Sequence, residues 1–154
     1  MGMGERNMIR EITPGDVAQC AKILRAVYNN ELWACRWSEE ASERYLAHFL
    51  ENGAFVGRVY AEGDEILGAA FAQQKIWWNA DEMYLDELFV LPRAQGRGIG
   101  GALLKELEDE CRARGLAGIT LATNAHTPAP MFYEAHGYAA AEHVNYFYKV
   151  VQSD

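Results

Sequence analysis

The 154-residue chain has no apolar run approaching the roughly eighteen residues that a membrane helix requires. Its opening, MGMGERN, is polar where a signal peptide would carry an apolar centre, so a cytoplasmic protein with no membrane partner is expected. Cysteine is scarce. Cys20, Cys35 and Cys111 are widely spaced and form no C-x-x-C pair, which argues against a disulfide framework and a zinc site, and each thiol is read as buried or inert. Basic charge is also short: 14 Lys and Arg against 22 Asp and Glu give a formal net charge of −8. That balance argues against nucleic acid as a partner and is compatible with a cationic substrate, although negative charge also simply keeps a protein soluble. His48, His126, His136 and His143 show no ligand-like spacing, so no metal is expected. His126 and His136 lack an evident serine or cysteine partner and are read as surface or helix-end residues. Repeats, low-complexity tracts and linkers are missing too. One domain over residues 1–154 is expected, with residues 1–6 as a flexible N-terminal extension.

What is present concentrates between Leu85 and Leu104, LDELFVLPRAQGRGIGGALL, where a strand pattern passes through Pro92 into four closely spaced glycines and then into an amphipathic helix. Gly96, Gly98, Gly100 and Gly101 have no Cβ, so the backbone there can take positive φ and bring its N–H groups close to an anion. The first turn of a helix leaves about four N–H donors without intrahelical partners, and the macrodipole adds positive character at the same end. Ile99, Leu103, Leu107 and Cys111 recur every four residues with Leu104 beside them, while Lys105, Glu106, Glu108, Asp109 and Arg112 take the other face. No Lys followed by Ser or Thr closes the glycine run, which excludes a Walker A loop. The spacing Gly96-x-Gly98-x-Gly100 also differs from the Gly-x-Gly-x-x-Gly of dinucleotide folds.

Gln95-x-x-Gly98-x-Gly100, preceded by a strand ending Val90-Leu91-Pro92, resembles the acetyl-coenzyme A pyrophosphate loop of the GCN5-related N-acetyltransferase (GNAT) family. Downstream, Asn124 followed by Met131-Phe132-Tyr133-Glu134-Ala135-His136-Gly137-Tyr138 resembles that family's second motif. The likeness is close from Glu82 to Lys149 and rests mainly on the order of elements before that. It implies acetyl-coenzyme A as cofactor and an α/β single-domain fold of order β-α-α-β-β-β-α-β-α-β. It also implies a mixed, mostly antiparallel sheet in which the strand before the glycine loop and the strand after its helix form a splayed parallel pair. Periodicity alone gives only a mixed α/β domain.

The elements read along the chain agree with that order. Met8 to Ile12 forms a first strand, and Thr13-Pro14-Gly15-Asp16 opens a helix running to about Tyr28. Ser38 starts a second helix that stops at Asn52-Gly53. Ala54 to Ala61 and Ile66 to Trp77 make a hairpin around Glu62-Gly63-Asp64-Glu65, and Tyr84 to Leu91 is the next strand. Gly118 to Ala122 reads as a short buried strand, Pro128 or Pro130 opens a fourth helix ended by Gly137, and Val144 to Val151 alternates as a closing strand.

Acyl transfer to an amine needs a base for the amine proton, a donor for the oxyanion and a proton for the departing thiolate. Asp86, on the strand four residues before Val90, is the first choice of base. A carboxylate occurs there in enzymes similar to this one, among them spermidine/spermine and several aminoglycoside acetyltransferases. Period-two alternation sends the neighbouring Glu87 to the opposite face, so only one of the two would serve, and a β-bulge near Leu88 would change which. The competing reading for both is a solvated strand-end or capping acid. Tyr133 is the proposed general acid on the strength of its motif, against a core aromatic packed with Phe132 and Tyr138. The resemblance further implies that Leu88, Phe89 and Val90 pair with the pantetheine amides and supply the oxyanion donor. Gly96, Arg97, Gly98, Ile99, Gly100 and Gly101 would cradle the pyrophosphate with Gln95 as a neutral contact, and Asn124, otherwise a turn residue, would bond the pantetheine arm.

The acceptor is read from Trp33, Arg36, Trp37, Trp77, Trp78, Asp81 and Glu82 together with Asp86. Aromatic walls beside acids suit a small cationic amine of polyamine or aminoglycoside type. Trp33, Trp37, Trp77 and Asp86 are therefore the substrate candidates. Trp77 and Trp78 also fit a sheet edge or the contact of a homodimer, and Arg36 leaves room for an anionic substrate. Two other functions remain open at this level: protein or peptide N-acetylation, and a non-catalytic acyl-coenzyme A binding module.

Overall fold

The computed structural model describes residues 8–152, so the expected extension at residues 1–6 lies outside the described residues. The chain divides into two compact units, Met1–Ala122 and Thr123–Asp154. The first contains strands β1 (Ile9–Glu11), β2 (Phe55–Glu62), β3 (Glu65–Lys75), β4 (Glu82–Val90) and β5 (Ile119–Leu121). It also contains helices α1 (Val17–Tyr28), α2 (Glu39–Leu50) and α3 (Ile99–Arg114). The five strands form one sheet in the order β1-β2-β3-β4-β5, antiparallel through β4 and parallel between β4 and β5.

Each helix starts and stops where its sequence requires. Ser38 caps α2 by accepting from Ala41 N–H at 3.0 Å. Gly115, at φ 68°, ends α3 in the left-handed conformation that glycine adopts without strain. The segment Pro14–Asp16 forms a 3₁₀ turn ahead of α1. There the Asp16 carboxylate accepts from Thr13 N–H at 2.8 Å and from the two terminal guanidinium nitrogens of Arg10 at 2.7 and 2.9 Å.

The sheet is covered on both faces. On one, Cys20, Ile23 and Leu24 of α1 and Leu46 of α2 pack on Val59, Ala69, Phe71 and Phe89. Between the two helices, buried Ser42 accepts a hydrogen bond from Arg25 at 2.7 Å. On the other face, α3 buries Ile99, Leu103, Leu104, Leu107 and Cys111. Gly68 eases that close approach, since a Cβ there would lie 3.1 Å from Ile99 Cγ2 and 3.3 Å from Leu103 Cδ1, tighter than ordinary contact. Of the described residues, no helix is long and apolar enough to cross a membrane.

The unit from Thr123 contains α4 (Ala129–Ala135) and, among its described residues, no strand. The alternation of 144–151 therefore does not become the closing strand the sequence suggests. A strand exists only through the ladder of a neighbour, and three consecutive large side chains, Tyr146, Phe147 and Tyr148, already break the one-sided pattern; all three are exposed. Likewise β5 is only partly covered rather than buried, with Thr120 open to solvent between half-buried Ile119 and Leu121.

Candidate functional site

The central irregularity of the sheet lies in β4. Leu85 pairs with Ala72 and Glu87 with the adjacent Phe71, so Asp86 is an extra residue, a β-bulge between two ladder positions. Its consequence can be followed along the strand. Met83 and Leu85 are buried, and Met83 Sδ lies 4.0 Å from Cys111 Sγ of α3, which places that part of β4 on the α3 face. Beyond the bulge Phe89 belongs to the core on the α1–α2 face, with its ring 5.8 Å from Phe71. The inserted residue shifts the phase by one, so the odd-numbered side chains change faces.

That shift overturns the expectation that Asp86 and Glu87 point in opposite directions. Glu87 accepts a 2.7 Å hydrogen bond from the Tyr45 hydroxyl of α2. Asp86 accepts from Gln73 Nε2 at 3.0 Å, and Gln73 is two residues beyond Phe71 on the same face of β3. Both carboxylates therefore stand on the α1–α2 side. The bulge sits at Asp86, two residues earlier than anticipated.

The electrostatics of this pair are unusual. Burial pushes Glu87 up to about 7, against a lowering by the Tyr45 hydrogen bond and with a further push from the Asp86 charge. Burial also raises Asp86, opposed by the Gln73 hydrogen bond. Tyr45 is raised as well, first by burial and then by the Glu87 charge, so its phenol stays protonated and remains a donor. Among the described residues no salt bridge reaches either carboxylate. A carboxyl group that titrates near neutrality is suited to accepting and returning a proton.

Just past the bulge, one edge of β4 opens. Strand β5 pairs with β4 only at Met83, Tyr84 and Leu85, whereas β3 follows β4 to Val90. Leu91 N–H donates to Leu67 C=O of β3 at 2.8 Å. By the alternation of an antiparallel ladder, Val90 and Leu88 then turn their N–H and C=O groups away from β3. Two contacts agree with this: Leu88 C=O accepts from the Tyr28 hydroxyl at 3.4 Å, and Val90 C=O from Gln95 Nε2 at 3.1 Å. Leu88 N–H thus faces the side that β5 has left, close in sequence to the two carboxylates.

The strand leads through Pro92–Ala94 into the glycine loop. Gly96 and Gly98 both have φ of 82°, and beyond the adjoining residues no heavy atom lies within 4 Å of the position a Cβ would take at either. Gly100 and Gly101 lie inside α3 and are not among the positive-φ glycines. The first intrahelical bond is Ala102 N–H to Gly98 C=O, which leaves the N–H groups of Ile99, Gly100 and Gly101 ahead of it without helical acceptors. No acid occupies the first turn of α3. An open cradle at the positive end of a 16-residue helix fits the diphosphate of a coenzyme A thioester. Arg97, expected to add charge, is engaged with Glu62 at 2.9 Å, with both side chains solvent-accessible.

The aromatic candidates separate. Trp33 meets Tyr28 edge-on at 4.9 Å, and Trp37 stacks on Tyr45 at 5.0 Å, so both belong beside the carboxylate face. The Asn29 amide fixes Trp37 by accepting from its N–H at 2.7 Å and donating to its C=O at 2.8 Å. Trp37 also borders two open depressions of about 550 and about 610 Å³, the first shared with Asn29, Asn30 and Arg36, the second with Arg44, Tyr45 and His48. Trp77 sits instead on the β3–β4 turn, half exposed, with Lys75 Nζ 5.5 Å from its ring centre; Trp78 is more exposed still.

In the second unit, Asn124 Oδ1 accepts from His126 N–H at 2.8 Å, a turn geometry. Tyr133 lies in α4 with its ring 5.2 Å from Phe132 and 5.7 Å from Tyr138. His136 Nδ1 is 2.8 Å from Phe132 C=O at the helix end, as its position suggested. Among the described residues no cluster of three metal-ligating side chains occurs.

Three polar residues of the β4 site escaped sequence reasoning: Tyr45, Gln73 and Tyr28. Tyr45 reads as one more apolar position of α2, and only its hydroxyl, set among Leu46, Phe49 and Leu50, distinguishes it.

Known proteins bear on this geometry. Residues 22–138 match the Acetyltransferase (GNAT) family. An uncharacterized N-acetyltransferase, YhfO of Bacillus subtilis (strain 168), is 30% identical over 135 residues, covering 84% of this chain and 88% of that protein. A possible acetyltransferase from Clostridium difficile 630 shares the fold at a TM-score of 0.81 with 17% identity, covering 94% of this chain and 97% of that one. An aminoglycoside acetyltransferase from an uncultured soil metagenomic sample does so at 0.75 with 19% identity, covering 95% and 98%. With the splayed β4–β5 pair and the glycine cradle at α3, these matches make the chain a member of the GNAT family of N-acetyltransferases.

Proposed function

We propose that the protein transfers an acetyl group from acetyl-coenzyme A to a primary amine of a small cationic molecule, with Glu87 as general base. The observation that carries this reading is the bulge at Asp86, which puts two carboxylates on one face, with no cation beside them among the described residues, where burial raises Glu87 to about 7. Acetyl-coenzyme A supplies the activated acyl group. Gly96, Gly98 and the first turn of α3 bind its diphosphate through backbone N–H groups. Leu88 N–H donates to the acyl oxygen as negative charge develops there.

An alkyl ammonium entering between Asp86 and Glu87 replaces the missing countercation. It then gives its proton to Glu87, and the neutral nitrogen attacks. Asp86, the sequence's first choice of base, keeps a negative charge against the rest of a polycationic acceptor, with Trp33 and Trp37 as aromatic walls. Tyr133 gives a proton to the leaving thiolate, a role that rests on its motif, and the second proton shed by the attacking nitrogen as the amide forms restores the phenol. The aminoglycoside acetyltransferase named above acts on a class of compound that fits this acceptor.

The test is thiol release from acetyl-coenzyme A against a panel of polyamines, aminoglycosides, amino acids and peptides. Turnover confined to polycationic amines is expected. Tight binding of acetyl-coenzyme A with no turnover of any amine would remove the assignment.

A further inference from the structure

We infer that Tyr45 is a positioning residue of the transfer reaction: its hydroxyl donates to the Glu87 carboxylate and favours the ionised form that receives the proton. The inference rests on the reading of Glu87 as base, and its own support is geometric. The donor and acceptor are 2.7 Å apart although 42 residues separate them in sequence. The Tyr45 ring has little freedom, because it stacks on Trp37 with 28° between planes and meets Phe49 edge-on at 5.1 Å. It projects from α2, whose N-terminus is capped by Ser38. A hydroxyl so placed meets the carboxylate without reorganising when charge appears on it.

The surroundings leave this role to Tyr45. From β4 itself the neighbouring charge is Asp86, which works against ionisation of Glu87. From β3, Gln73 is engaged with Asp86. From α1, Tyr28 points its hydroxyl at Leu88 C=O, and Arg25 is engaged with Ser42. Tyr45 is thus the donor on Glu87. The phenol's own ionisation is displaced upward, so it does not compete for the proton.

Two single substitutions in the full chain test the idea. Tyr45→Phe keeps the ring and its stacking, and Glu87→Gln removes the carboxyl. With ¹³C-carboxyl-labelled glutamate, the Glu87 resonance is the one absent from the Glu87→Gln spectrum, and its titration needs no substrate. In Tyr45→Phe its midpoint should rise by about one pH unit or more, the effect expected for losing a hydrogen bond to the charged form. The acid limb of kcat/KM should move by the same amount, giving roughly tenfold slower transfer on that limb and near-parental rates at high pH. An unchanged midpoint would overturn the role of Tyr45, as would a uniform loss of activity at every pH. Full activity of Glu87→Gln, by contrast, would overturn the base assignment while leaving the Tyr45 contact to be judged by the titration alone.

Discussion

Asp16 at the β1–α1 corner and Glu87 in the middle of β4 are both withdrawn from water, yet burial has opposite outcomes for them. Asp16 is gripped by the Arg10 guanidinium and by Thr13, and its carboxyl is held below the usual range, the Arg10 hydrogen bond outweighing desolvation. Glu87 has the neutral Tyr45 hydroxyl as donor and a second carboxylate beside it, and desolvation wins. The difference is the presence or absence of a cation. A carboxylate that fixes a corner has its counterion permanently, whereas the proposed base would find its cation in the proposed cationic substrate. The same logic makes the first pair a contributor to stability and the second a cost.

The strongest way to break this comparison is Glu87→Gln. As base, Glu87 should account for about 10²–10⁴-fold in kcat/KM for the amine, with little change in acetyl-coenzyme A affinity. A loss under threefold would mean that the raised carboxyl is not used.

Asp16→Asn should act on the fold instead, lowering stability by about 1–3 kcal/mol by removing charge-assisted bonds at a buried position. Activity per folded molecule should be unchanged. Because the Asp16 carboxyl is lowered in the folded protein, its stabilisation is present above the ordinary carboxylate range and is lost as pH falls through the folded value. Urea titrations from neutral to acid pH should therefore converge for the parent and Asp16→Asn.

For Glu87 the sign reverses. Its folded value lies near 7 against an ordinary 4.5, so the preference for the protonated folded form is present below that ordinary value and disappears as pH rises to about 7. Glu87→Gln should accordingly be more stable than the parent above neutrality, by about 1–2 kcal/mol after allowance for partial solvent access. Denaturation midpoints that change with pH identically in the two proteins would show that burial does not disfavour the charged carboxylate.

A smaller effect is expected at the glycine loop. Gly98→Ala places a Cβ on a residue at φ 82°, where the strain of about 1–2 kcal/mol should weaken acetyl-coenzyme A binding roughly tenfold. The pH profile of the chemical step should remain as in the parent. Arg97→Ala should alter affinity least, roughly twofold, since its guanidinium already faces Glu62 in solvent.

Much of the fold was legible because its signals are local. Thr13-Pro14-Gly15-Asp16, Ser38 and Gly115 mark helix ends by capping chemistry, and the β2–β3 turn follows from Gly63 at φ 61°. Gly96 and Gly98 announce their positive φ in the same way. The closing strand at 144–151 was misread because alternation records a face without recording the neighbour that must pair with it. At the site, Asp86 and Glu87 were found as residues but assigned to opposite faces. Period-two reasoning assumes an unbroken ladder, and a bulge is visible only once β3 and β4 are in register.

By itself the sequence determined the glycine cradle and the helix that follows it, since positive φ and 3.6-residue periodicity are properties of adjacent residues. Only the tertiary structure decided which carboxylates share a face, which of them is pushed toward neutrality, and that a tyrosine 42 positions away holds it. Those outcomes depend on strand register, burial and a hydroxyl brought in by another element, and none of these is a property of neighbours along the chain.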